Sequence, residues 1–179
     1  MPITRLNHAV LYVRDAQRSA DFYTELLGFR RLPMAEGMSG AAFLQAPGST
    51  NDHDLGLFSV GDAARPAGRA VGLYHLAWEV DTLAELQRLS TVLAGRHALV
   101  GASDHGSTKS LYGRDVDGIE FEIAWIVPAD LLDDEALEGR KTIQPLDIAR
   151  EKQRYGAETW GGVGVSAPGA FQPAGLDKA

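Results

Sequence analysis

Cysteine is missing from all 179 residues, which removes disulfides, thiolate metal sites and a cysteine nucleophile together. Long apolar runs are missing as well. No window approaches the roughly 20 apolar residues that a bilayer-crossing helix needs, and the opening Met1-Pro2-Ile3-Thr4-Arg5 lacks the apolar core of a signal peptide. A cytoplasmic protein that does not engage a membrane is the expectation. Basic charge is sparse: 17 Lys and Arg stand against 24 Asp and Glu, for a net charge of −7. No basic stripe is available to hold nucleic acid, and the carboxylates are scattered rather than gathered into an acidic tail. What is present, 45% hydrophobic and 23% charged residues, is the composition of an ordinary globular chain. Its length suits one good core.

The chain reads as one motif written twice. Thr4 to Val13 is apolar and β-prone, with His8 in its middle. Asp15 offers an N-cap, Ser19, Phe22, Tyr23, Leu26 and Leu27 recur at helical spacing, and Gly28 stops the helix. Strand-like stretches follow at 29–32, 41–44 and 53–60, and residues 61–71 resemble a linker. In the second half Leu73 to Val80 is a strand with His75 near its start. Thr82-x-x-Glu85 resembles a capping box, Leu83, Leu86, Leu89 and Leu93 form an apolar stripe, and Gly95 ends the helix. Strands at 99–102, 109–113 and 119–125 complete it. His8 and Gly28 stand at the same separation as His75 and Gly95, so equivalent residues should occupy equivalent points of a pseudo-symmetric fold. The expected fold class is α+β: two βαβββ modules, residues 4–60 and 72–125, forming an open, mostly antiparallel, barrel-like sheet around a metal site. Together they make a domain over 1–127. Residues 128–179 form a partly irregular extension, with short helices expected at 131–137 and 146–155.

Strand alternation turns His75, Ala77 and Glu79 to one face and the apolar Leu76, Trp78 and Val80 to the other; Glu120, Glu122 and Ala124 are likewise opposed to Phe121, Ile123 and Trp125. A His or Glu turned off a core face needs water, a partner or a metal. A lone strand histidine is ordinarily hydrogen-bonded or half-exposed. The repeat changes that assessment, because His8, His53, His75 and Glu122 fall on four related strands. Two imidazoles and one carboxylate on one side of a metal suit non-haem Fe(II) oxygen chemistry. His97 reads as a surface residue near a helix C-terminus, Asp115 and Asp117 as turn formers, and Trp78 and Trp125 as core.

At Asn7-His8-Ala9-Val10, Phe22-Tyr23-x-x-Leu26-Leu27-Gly28-Phe29, Tyr74-His75-Leu76-Ala77 and Tyr112-Gly113-Arg114-Asp115-x-Asp117-Gly118 leading into Glu120-Phe121-Glu122, the sequence resembles the vicinal oxygen chelate superfamily. That superfamily includes glyoxalases, bleomycin-resistance proteins and type I extradiol dioxygenases. Within it the chain looks most like single-domain extradiol catechol dioxygenases. The resemblance implies metal ligands His8, His75 and Glu122, holding Fe(II), with Mn(II) equally suited to the ligand set. It also implies active-site roles for His53 beside the metal, and for His105 and Tyr112 on the substrate side. The implied reaction is extradiol cleavage of a catechol-type aromatic with O2, and the implied assembly is a homodimer or higher homo-oligomer. The usual Asp-Pro-Asp-Gly-Asn turn has Val116 and Ile119 in place of Pro and Asn. The alternatives are a glyoxalase-type isomerase or thiol transferase, and a bleomycin-resistance-like binding protein. Glyoxalase-like sites usually take a fourth ligand, a carboxylate or amide, from the closing strand of the first module, and Leu55-Gly56-Leu57-Phe58 offers none beyond His53 and Asp54 at its start. A substrate groove is expected to draw on Phe43, Leu44, Met34, Met38 and Trp160.

Overall fold

The structure, a computed structural model, describes residue 3 and residues 5–35, 37–63 and 71–162. The expected linker therefore falls largely, and the Gly- and Pro-rich end beyond residue 162 entirely, outside the described residues. The chain forms two compact units: Met1–Tyr74 with Arg114–Ile119, and His75–Gly113 with Glu120–Ala179.

In the first unit β1 (Ala9–Val13) leads into α1 (Ala16–Leu27), followed by β2 (Arg30–Leu32), β3 (Ala41–Gln45) and β4 (Leu55–Ser59). Asp15 caps α1 as expected, its carboxylate accepting from the Gln17 and Arg18 amides, and Gly28 closes it at φ 77. A left-handed residue in that position is the ordinary way to satisfy the last carbonyls of a helix. The sheet order is β1-β4-β3-β2, with β1 parallel to β4 and the other pairs antiparallel. Ala16, Ala20, Phe22, Tyr23 and Leu26 of α1 are buried, as are Leu11, Val13, Leu44, Leu55 and Leu57 of the strands. Each fully buried Leu contributes about 1.5–3 kcal/mol of apolar transfer. Leu44, at 0% exposure, belongs to this core and so cannot line a groove. It lies one pleat away from Phe43, which faces the other side.

The second unit repeats the order: β5 (Leu76–Glu79), α2 (Leu83–Gly95), β6 (Leu99–Asp104), β7 (Thr108–Arg114) and β8 (Glu120–Ile126). Thr82 caps α2 by accepting from the Glu85 amide. Leu83, Leu86, Leu89 and Leu93 are buried, together with Phe121, Ile123 and Trp125. Trp78 is only partly buried. Gly95 is the last helical residue, but the left-handed turn that follows falls on His97, at φ 55. The sheet runs β5-β8-β7-β6-β9, with β5 parallel to β8. The fifth strand, β9 (Gln144–Pro145), comes from the extension, which also supplies α3 (Asp134–Gly139) and α4 (Ile148–Tyr155).

The fold is thus α+β with two open mixed sheets. One parallel pair in each is what positions chemistry, because it sets the first strand of a module beside its last. His8 and His75 come just before β1 and β5 rather than within them, and His53 precedes β4. Among the described residues no helix is long and apolar enough to cross a membrane.

Candidate functional site

In the first unit the parallel register Ala9↔Leu55 puts the residues ahead of both strands side by side. The rings of His8 and His53 lie 4.4 Å apart, tilted by 43°. His8 is exposed, and its Nδ1 lies 2.8 Å from Asn7 Oδ1. An amide oxygen only accepts, so Nδ1 carries the proton and Nε2 of the neutral ring keeps a lone pair for a ligand. His53 is held in the same manner by Asp52 Oδ2 at 3.2 Å, and its side chain is 15% exposed. Phe43 meets the His53 ring edge-on at 5.2 Å.

Asp54 builds the loop that carries His53. Its buried carboxylate accepts from the Ala46 amide, the Ser49 hydroxyl and the Asn51 side-chain amide. Asn51 also donates to the Asn7 carbonyl, tying the His53 loop to the segment bearing His8. Neither role was legible in the sequence, where Ser49 and Asn51 look like generic turn residues and Asp54 falls within the strand-like stretch 53–60. Further along the same sheet face, Gly56 sits between Val10 and Phe43; a Cβ there would stand 3.4 Å from each. The position that could have offered another ligand is therefore bare backbone. Met34 and Met38 are exposed.

In the second unit the register Ala77↔Glu122 brings the preceding His75 onto the carboxylate: His75 Nε2 lies 2.9 Å from Glu122 Oε2. Both side chains are mostly buried, 23% and 12% exposed. The other carboxylate oxygen accepts from the buried Ser110 hydroxyl at 2.5 Å. Ser110 is a further site residue missed in the sequence; its place on β7 across from Glu122 is the signal that would have found it. Tyr112, on the same strand, presents its ring to His75 at 5.9 Å, and its hydroxyl lies 2.8 Å from His105 Nε2. His105, Tyr112, His75 and Glu122 thus form one continuous polar series. Trp160 is 74% exposed.

Each unit therefore holds part of the expected set: His8 with His53 in one, His75, Glu122, His105 and Tyr112 in the other. Within neither unit, among the described residues, do three His, Asp or Glu side chains gather into one metal-holding group. The donor chemistry fits a divalent metal. An imidazole and a carboxylate meet with Ser110 fixing the far oxygen, which is how supporting hydrogen bonds orient ligands.

Comparison with known proteins agrees with this fold. Residues 5–123 match the model of the Glyoxalase/Bleomycin resistance protein/Dioxygenase superfamily. Two proteins named lactoylglutathione lyase, from serogroups A and B of Neisseria meningitidis, are each 32% identical over 123 residues, covering 66% of this chain and 88% of theirs. A glyoxylase/bleomycin resistance protein/dioxygenase domain from Frankia sp. EAN1pec superposes with a TM-score of 0.56 at 25% identity, covering 69% of this chain and 92% of that one. A glyoxalase/dioxygenase from Nostoc punctiforme gives 0.55 at 24%, covering 67% and 89%. The chain belongs to the glyoxalase, bleomycin resistance protein and dioxygenase superfamily, the vicinal oxygen chelate proteins.

Proposed function

We propose that this chain is a metal-dependent extradiol dioxygenase that cleaves a catechol-type ring with O2, with His8, His75 and Glu122 as ligands. The observation that carries the reading is the first unit's His8–His53 ring pair, 4.4 Å apart, on a module whose closing strand has bare backbone at Gly56. A second histidine stands where it can move a proton, and the neighbouring strand supplies no extra ligand. Bound Fe(II) would supply what side chains lack, holding both catechol oxygens and O2 in one coordination sphere. His53, its Nδ1 committed to Asp52, keeps Nε2 to receive and return a proton. Tyr112 and His105, already hydrogen-bonded to each other, would orient the substrate oxygen. Phe43 would offer its ring to an aromatic guest. Association as a homodimer belongs to the same proposal, and light scattering at twice the chain mass would support it.

A glyoxalase-type reaction is the second reading. The lactoylglutathione lyase relatives, 32% identical over 123 residues, favour it over ring cleavage; Gly56 in β4 and the additional histidines weigh the other way. The deciding experiment is anaerobic purification, metal quantification, and parallel assays with catechols plus O2 and with the hemithioacetal of a 2-oxoaldehyde and glutathione. About one iron or manganese per chain and a yellow ring-cleavage product support the dioxygenase. Conversion of that hemithioacetal to its α-hydroxy thioester with nickel or zinc, and no O2 uptake on any catechol, replaces it with the second reading.

A further inference from the structure

Three elements beyond the family-matched residues 5–123 converge on the short loop that carries His105. β9 pairs with the end of β6 through Ser103↔Pro145 and Asp104↔Gln144. The end of α3 rests on Gly106, which is buried at φ +74; a Cβ on Gly106 would stand 2.2 Å from the Ala136 carbonyl oxygen and 2.6 Å from the Arg140 nitrogen. From α4 comes Glu151, 1% exposed, ion-paired at 2.9 Å with the equally buried Lys109 ammonium of β7. Lys109 also donates to Asp104 Oδ1 at 2.6 Å, and that oxygen accepts from the Gly106 amide at 2.7 Å.

Both neighbours of His105 are thereby fixed, Asp104 by charge and Gly106 by contact and hydrogen bond. A desolvated ammonium is stable only with its carboxylates in place, so the loop's geometry depends on a residue far along the chain. We propose that the C-terminal extension is a positioning device for His105, with Glu151 acting through Lys109 and Asp104 to set the imidazole against Tyr112. This rests on reading His105 as a substrate-side residue. The extension lies beyond the family-matched residues 5–123, and the curated relatives align over 66% of this chain.

The test uses the full chain with Glu151→Gln, and with Gly139→Ala as a gentler second variant whose new Cβ would stand 3.0 Å from Gly106 Cα. Histidine-ring NMR reports position directly. In both variants the His105 signals are expected to shift or broaden while those of His97 and His53 stay. Catechol turnover should fall about tenfold in kcat with KM changed less than threefold, and Glu151→Asp should recover part of it. Unmoved His105 signals and unchanged kcat in folded variants would overturn the proposal, leaving the extension a stabilising brace. If the signals move but His105→Ala turns over normally, the positioning stands and the substrate-side role of His105 fails.

Discussion

His75 Nε2 and Glu122 Oε2 approach to 2.9 Å across the parallel pair β5–β8, and Ser110 Oγ holds the carboxylate's other oxygen at 2.5 Å. One strand register therefore aligns an imidazole with a carboxylate, and one hydroxyl decides which oxygen remains for it. Supporting hydrogen bonds of this kind are worth about 10–100-fold in metal affinity. Ser110→Ala is expected to weaken binding of Fe(II) or Mn(II) by that factor, and Glu122→Ala to remove it. Competition against a chromogenic chelator measures both. Equal affinity in Ser110→Ala would mean that the hydroxyl only fills space on β7.

His53→Ala should retain the metal and lose turnover, because its proposed work is proton transfer rather than ligation. General acid–base contributions run to about 10²–10⁴-fold in rate. Asp52→Ala should cost less, since it frees Nδ1 without removing the ring. Rate and metal content need to be measured on the same preparation; loss of metal in His53→Ala would assign that residue to ligation instead.

Much of this was legible beforehand, for reasons that particular residues make plain. Asp15 and Gly28 bracket α1 because capping chemistry is local, and the leucine stripe of α2 is a periodicity. The repeat aligned His8 with His75 without any tertiary information. The strand boundaries read from the sequence are too long around the histidines: His8, His53 and His75 all stand just before β1, β4 and β5, because the ladders begin only at Ala9, Leu55 and Leu76. β9 had no signal, because Gln144-Pro145 is two residues held by the neighbouring β6 rather than by its own pattern. Leu44, a groove residue by sequence, lies in the core, one pleat away from Phe43. Asp115 and Asp117 do form a turn, and burial with Tyr23 and Arg14 adds tertiary contacts that composition could not reveal.

Gly113 is expected to tolerate nothing larger. A Cβ there would fall 2.3 Å from the tip of the Phe121 ring, which is 1% exposed and locked in the core. Forcing an extra methyl into a packed core costs about 1–3 kcal/mol. At about 2–4 °C per kcal/mol for a chain of this size, Gly113→Ala should melt several degrees lower. A Gly113→Ala/Phe121→Leu pair should recover part of the loss, and strict additivity in that cycle would show that the two sites do not meet.

Asp115 gives stability a pH dependence of a defined sign. Its Oδ1 accepts from the Asp117 and Ile119 amides, and the Tyr23 hydroxyl donates to Oδ2 at 3.3 Å. Burial raises the Asp115 carboxyl above its ordinary range, outweighing those hydrogen bonds. The native state therefore binds this proton more tightly than the unfolded chain does. The resulting stabilisation is complete below the ordinary carboxylate pKa of about 3.9 and is lost as pH climbs through the raised native value. Asp115→Asn keeps the Oδ1 acceptor and has no proton to lose. The stability of the variant minus that of the wild type should consequently rise with pH in that window, by at most about 1.4 kcal/mol per pH unit, and level off above it. Urea unfolding of both proteins at intervals from pH 4 to 7 measures the difference. Parallel curves would show that Asp115 ionises in the folded protein as readily as in the unfolded chain.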